Sequence, residues 1–141
     1  MMKVLLPIDG SEESIALVAK FIAWEKNWSG FKEIHLINVQ HSFHGDIGLF
    51  VNAEQMNSYH HDEGLKALEK ARNELDCSGI KYKLHIGVGD PAEVIVQYAN
   101  ETQCDEIILS PIGLNRIASM ILGSVESKII ELSKTPILLL K

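Results

Sequence analysis

Short apolar runs alternate along the chain with longer segments whose apolar residues recur every three or four positions. That rhythm is one of buried strands and amphipathic helices. Val4-Leu5-Leu6-Pro7-Ile8 is apolar throughout, which suits a central strand of a parallel sheet buried on both faces. Pro7 belongs near the strand end, because proline donates no ladder hydrogen bond. Ser11 is placed to cap a helix over 12–28, with Ile15, Val18, Ala19 and Ile22 as its inward stripe. Residues 34–39 read as a second strand, and 40–52 as a polar, glycine-containing excursion. A long helix is predicted over 53–77, with Met56, Tyr59, Leu65, Leu68 and Leu75 on one side and Glu69 and Lys70 on the wetter side.

Residues 81–87 make a third strand, followed by Asp90-Pro91-Ala92-Glu93. Asp90 caps the next helix, Pro91 suits its first position, and Glu93 completes a capping box. That helix runs to about Glu101, and 106–109 supply strand four. Ser124 opens a final helix with Val125, Ile129 and Leu132 inward, and Pro136 stops it before a last strand over 137–140. Five strands interleaved with four helical regions predict an α/β fold, a three-layer open parallel sheet with right-handed crossovers. Residues 1–141 read as a single domain without repeat or linker. Periodicity leaves the strand order open. An apolar C-terminal strand at a sheet edge needs covering, and an identical subunit is a natural cover. An interior or helix-covered position in a monomer is the other reading.

Composition narrows the function classes. Thirteen Lys or Arg against nineteen Asp or Glu give a net charge of -6, and no dense basic stripe appears, so no nucleic-acid surface is expected. No run approaches a membrane span, and the start lacks the pattern of a secretory signal, so the expectation is a cytoplasmic protein without membrane insertion. Cys77 and Cys104 stand apart in different elements, which suits reduced, packing cysteines.

Gly113 and Gly123-Ser124, with nine residues between the glycines, carry the candidate chemistry. Glycine lets backbone approach a ligand closely, and amides at a helix start hold phosphate. Loops beyond the carboxyl ends of parallel strands converge near a topological switch point. Asp9-Gly10, Val39-Gln40, the 110–113 loop and Gly123-Ser124 can therefore form one cleft. Gly113 would pass a diphosphate, while Gly123, Ser124 and Val125 would present amides and a hydroxyl to phosphate. Val39 would wall a base, and Asp9 would accept ribose hydroxyls or hold a divalent ion through phosphate. The same residues also have ordinary roles: Gly10 and Gly113 as turns, Ser124 as a cap, Asp9 as an acceptor for loop amides. No GxxxxGK[ST] loop is present.

At these residues the chain resembles the universal stress protein family over essentially its whole length. The resemblance rests on Pro7-Ile8-Asp9-Gly10-Ser11, Gly89-Asp90-Pro91, Gly113-x9-Gly123-Ser124-Val125 and Thr135-Pro136-Ile137-Leu138-Leu139. It implies an adenine nucleotide alpha-hydrolase-like sheet in the order 3-2-1-4-5, dimerisation through the last strand, and, in one subgroup, ATP binding through G-x2-G-x9-G-[ST]. Carried over, Pro7 and Asp9 match the first-strand site and Val39 an adenine-side position. Gly113, Gly123, Ser124 and Val125 match the phosphate loop. Ser110 stands at the motif's first glycine and Pro111 removes an amide donor, a departure from the pattern. Asn115 and Arg116 fall where many members carry a further glycine-bearing stretch, and Arg116 is a candidate phosphate partner or an ordinary surface residue.

The resemblance implies a nucleotide-responsive stress or regulatory protein binding ATP or another adenine nucleotide, with Mg, without efficient turnover. A homodimer and a regulatory protein partner are the expected company. A dimeric interaction module whose pocket no longer takes nucleotide is the alternative, with no cofactor, and a slow ATPase or phosphotransfer enzyme is a third. No Walker lysine, water-activating partner or serine triad is evident, so no catalytic residue is assigned. His41, His44, His60 and His61 show no zinc-ligand spacing and are expected at the surface or at a partner contact, with no metal site.

Overall fold

The computed structural model describes residues 2–28, 30, 32–42, 53–110 and 124–141, without the side chains of 53–56 and 124. Its described elements run β1 (Met2–Pro7), α1 (Glu12–Glu25), β2 (Lys32–Gln40), α2 (Ala53–Cys77), β3 (Tyr82–Val88), α3 (Pro91–Glu101), β4 (Glu106–Leu109), α4 (Ser124–Leu132) and β5 (Ile137–Leu139). The strands form one sheet ordered β3-β2-β1-β4-β5, every pair parallel. The α/β class and the order that the resemblance implied are the ones observed.

Strand alternation divides the core into two layers. Val4, Leu6, Ile8, Ile34, Leu36 and Ile108 pack against Leu17, Val18, Phe21, Leu68 and Leu75 of α1 and α2. On the opposite face, Leu5, Ile37, Ile107 and Leu109 meet Ile95, Ala99 and Ile129 of α3 and α4. β1 is central, so both its faces are covered, which explains an apolar run without alternation.

Local signals set the helix starts. The Ser11 side chain accepts a hydrogen bond from the Ser14 amide at 3.2 Å, and Asp90 accepts from the Glu93 amide at 3.1 Å with Pro91 at the first turn of α3. Gly10 turns the chain between β1 and α1 at φ +86°, where a Cβ would lie 3.3 Å from Ala67 of α2. Both the backbone angle and the close helix demand a glycine there.

Several expectations need correction. α1 ends at Glu25, short of 28, and its buried stripe is Ser14, Leu17, Val18, Phe21 and Ile22, while Ala19 is exposed. In α2 the inward residues are His60, Gly64, Leu68, Ala71 and Leu75, and Tyr59 is exposed. The buried face is rotated from the expected one and passes through Gly64, where α2 approaches β3 so closely that a Cβ would sit 2.6 Å from Ile86. Leu132 points to solvent, whereas Ile129 is fully buried. The 43–52 excursion and residues 111–123 lie outside the described residues.

Candidate functional site

The switch point lies where β1 has β2 on one side and β4 on the other. A cavity of about 470 Å³ opens there, beyond the carboxyl ends of those strands. That is within the size of small-ligand sites, roughly 300–1,000 Å³. Pro7 and Asp9 enter it from the end of β1, Val39 from β2, Ser110 from just past β4, and Val125 from the first turn of α4. Those five candidates, distant in sequence, share one wall. Ser124 begins α4, its side chain outside the described set, and Gly113 and Gly123 also lie outside it. So do Pro111, Asn115 and Arg116.

Backbone direction gives the β2 edge its chemistry. The Ile37 carbonyl accepts from the Ile8 amide at 2.8 Å, so Ile37 directs its peptide groups toward β1. Strand alternation sends the N–H and C=O of Val39 to the same flank, two residues farther on, where β1 has ended at Pro7. Gln40 faces the other way, its carbonyl accepting from the Gly89 amide at 2.9 Å. Val39 therefore offers an apolar side chain together with one donor and one acceptor along the cavity.

Side chains around this edge are locked by each other. Buried Asn38 donates to the Ile8 carbonyl at 2.8 Å, and Gln40 Nε2 donates to Asn38 Oδ1 at 2.6 Å. Asp9 Oδ1 accepts from the Ser11 amide at 2.8 Å. Partial desolvation pushes the Asp9 carboxyl up, but hydrogen bonds from Ser11 and Ser14 outweigh it and hold the acid below its ordinary value. Asp9 is thus an ionised acceptor at neutral pH, fixed at the cavity rim.

The rim is also tied across helices. Lys128 Nζ on α4 lies 3.0 Å from Asp90 Oδ2 and 3.5 Å from Glu93 Oε1 of α3. Hydrogen bonds from the Glu93 amide and from Lys128 hold the Asp90 carboxyl below its usual range. The start of α4 is therefore fastened to the start of α3 beside the cavity. Glu93 turns toward Lys128, a partner that a capping box read from sequence did not include.

Sequence reasoning overlooked Asn38, Glu13 and Glu126, which line the cavity together with Gln40 and His41. Asn38 had a visible signal: an amide within an otherwise apolar strand must find a buried partner. Of the histidines expected at the surface, His41 and His61 are exposed, but His60 is buried at 4% exposure on the inner face of α2. His44 lies outside the described residues. Among the described residues, no group of three or more His, Cys, Asp or Glu is placed to hold a metal ion. Among the same residues, no helix is long and apolar enough to cross a membrane.

The sheet order and the sequence together match a known group: the universal stress protein family aligns with residues 1–141. The chain belongs to the universal stress protein family. Universal stress protein MJ0531 of Methanocaldococcus jannaschii is 27% identical over 145 residues, covering 99% of this chain and 81% of that one. The solved structure of MJ0577, a universal stress protein of the same organism, superposes with a TM-score of 0.76 and 28% identity, covering 99% of this chain and 94% of that one. A universal stress protein solved in complex with cAMP gives a TM-score of 0.71 at 24% identity, covering 99% of this chain and 97% of that one. At that identity the likeness is one of fold. For this universal stress protein, the site stands on its own geometry.

Proposed function

We propose that this chain is a nucleotide-responsive regulatory protein that binds ATP or another adenine nucleotide without efficient turnover. The observation that carries this reading is the convergence of Pro7, Asp9, Val39, Ser110 and Val125 on one cavity at the switch point of a universal stress protein sheet. Val39 supplies an apolar wall for a purine and a backbone donor and acceptor for its polar edge. Ionised Asp9 accepts ribose hydroxyls. Ser124 and Val125 open α4, whose first amides suit a phosphate. A magnesium ion would arrive with the phosphates, screening them and reaching the protein through Asp9. Relatives in this fold have been solved with cAMP and with AMP, which agrees with the adenine class.

Binding ligand without chemistry fits the described residues. Phosphoryl transfer requires an aligned nucleophile and stabilisation of developing charge, and Asp9 alone supplies neither. The protein's response is instead a shift of population: a nucleotide bridging the ends of β1, β2 and α4 stabilises the arrangement that holds it. Localisation in the cytoplasm belongs to the same reading.

A homodimer is the second part of the proposal. β5 is an edge strand, and Leu139 on it is 37% exposed, with Ile130 at 42% and Leu132 at 43% on the preceding helix. Pairing two copies edge to edge would cover that apolar face and satisfy the open ladder. The interaction-module reading without nucleotide rests on this surface together with Ser110 at the rim.

Calorimetric titration with ATP, ADP and AMP in magnesium tests the binding function, and saturable heat is the expected result. No heat and no thermal protection at millimolar nucleotide would overturn it in favour of the interaction module. Phosphate release well above a contaminant control, lost in Asp9→Asn, would establish turnover instead.

A further inference from the structure

Fixed charges along the described wall of the cavity are all of one sign. Asp9 stands at the end of β1, Glu13 in the first turn of α1, and Glu126 in the first turn of α4. No lysine or arginine lines the cavity among the described residues. Lys128 is close in sequence, but its ammonium already sits 3.0 Å from Asp90 and 3.5 Å from Glu93. Charge patterns of this kind discriminate ligands by repulsion as well as by fit.

Glu126 has a particular position. It is the third residue of α4, where a carboxylate interacts favourably with the positive end of the helix. A phosphate drawn to the same amides would share the first turn of α4 with that carboxylate. The helix start therefore offers less net attraction to an anion than its amides alone would, and the deficit grows with ligand charge.

We propose that Glu126 grades the ligands of this pocket by charge. Adenosine and adenine nucleotides of low charge, the cyclic or simple monophosphates, then bind in preference to metal-free ATP. The triphosphate competes when a divalent cation screens it. This inference rests on the adenine-nucleotide reading above and deepens it by naming the ligand class. One unit charge facing another across several Å at a protein surface changes affinity by about fivefold at low ionic strength. The same effect fades as salt shortens the Debye length.

The experiment is a calorimetric series on the full chain with adenosine, cAMP, AMP and ATP, each in a metal chelator and in magnesium. Metal-free ATP is expected to bind more weakly than cAMP or AMP, and magnesium should narrow the gap. Glu126→Gln should strengthen metal-free ATP by about fivefold at low salt while leaving adenosine unchanged. High salt should remove the gain. Glu126→Ser serves as a second charge-removing variant, and Glu126→Asp should retain the original selectivity. An unchanged ratio of ATP to adenosine affinity in folded Glu126→Gln and Glu126→Ser overturns this inference alone. Absence of heat with every ligand, adenosine included, removes the binding function and this inference with it.

Discussion

Under α3 the sheet is treated in two ways. Toward the carboxyl ends of the strands, Val39, Asp9 and Ser110 line a cavity of about 470 Å³. Toward the amino ends, the same face is filled by polar side chains bonded to one another. His35 Nδ1 and the Tyr98 hydroxyl lie 2.7 Å apart, and His35 Nε2 lies 2.8 Å from Glu33 Oε1. Lys83 Nζ lies 2.9 Å from that same carboxylate oxygen, and His85 stacks on the Tyr98 ring at 4.4 Å between centroids. Polar groups in the lower half are used up internally, so that half is structure. Those in the upper half are positioned by neighbours yet still face a cavity, so that half is the candidate site.

The sharpest test of this division is His35→Ala. His35 is only 5% exposed, and its loss leaves a void while stripping partners from Tyr98 and Glu33. A destabilisation of about 2–4 kcal/mol is expected in urea unfolding. Nucleotide affinity of the folded protein should stay as in the parent. A parallel loss of affinity would show that the halves are one unit.

Val39→Trp is the converse. It fills the upper cavity from a half-buried strand position and should weaken nucleotide binding by about tenfold or more, or roughly 1.4 kcal/mol, in the same titration. Unfolding should change less than binding. Undiminished affinity would move the base away from the β2 edge.

Acid separates the halves more gently. Hydrogen bonds from Lys83 and His35 hold the Glu33 carboxyl down to about 2, and Asp9 is lowered as well. A depressed carboxylate stabilises the fold above its unfolded value, near 4 in peptides, and the contribution disappears as pH falls through the folded value. Desolvation lowers the His85 pKa, so the folded state resists protonation that the unfolded chain accepts below about 6.5. Stability should therefore begin to fall below about pH 6.5 and fall further below about pH 4. His85→Phe should flatten the first descent and leave the second, read from urea midpoints across pH. If Asp9→Asn alone removed the first descent, the upper half would be the source of the pH response.

Local chemistry wrote much of this fold into the sequence. The Ser11 and Asp90-Pro91 caps, the β1 run and the Pro136 stop each act over a few residues, so the element order and helix starts were legible. The family resemblance supplied the strand order that periodicity left open. Pro7, Asp9, Val39, Ser110 and Val125 were nameable as candidates because each lies at or just past a strand's carboxyl end or opens a helix, where parallel sheets place ligands. Tertiary structure decided what depends on distant neighbours. It buried His60 while exposing Tyr59 beside it, with the inward face of α2 passing through Gly64 close to Ile86. It gave Asn38 its partner in Ile8, thirty residues away. It also turned Glu13 and Glu126, unremarkable surface acids in sequence, toward one cavity. Backbone preference is local, but burial and net field are sums over whatever the fold brings near, and only the assembled sheet fixes those sums.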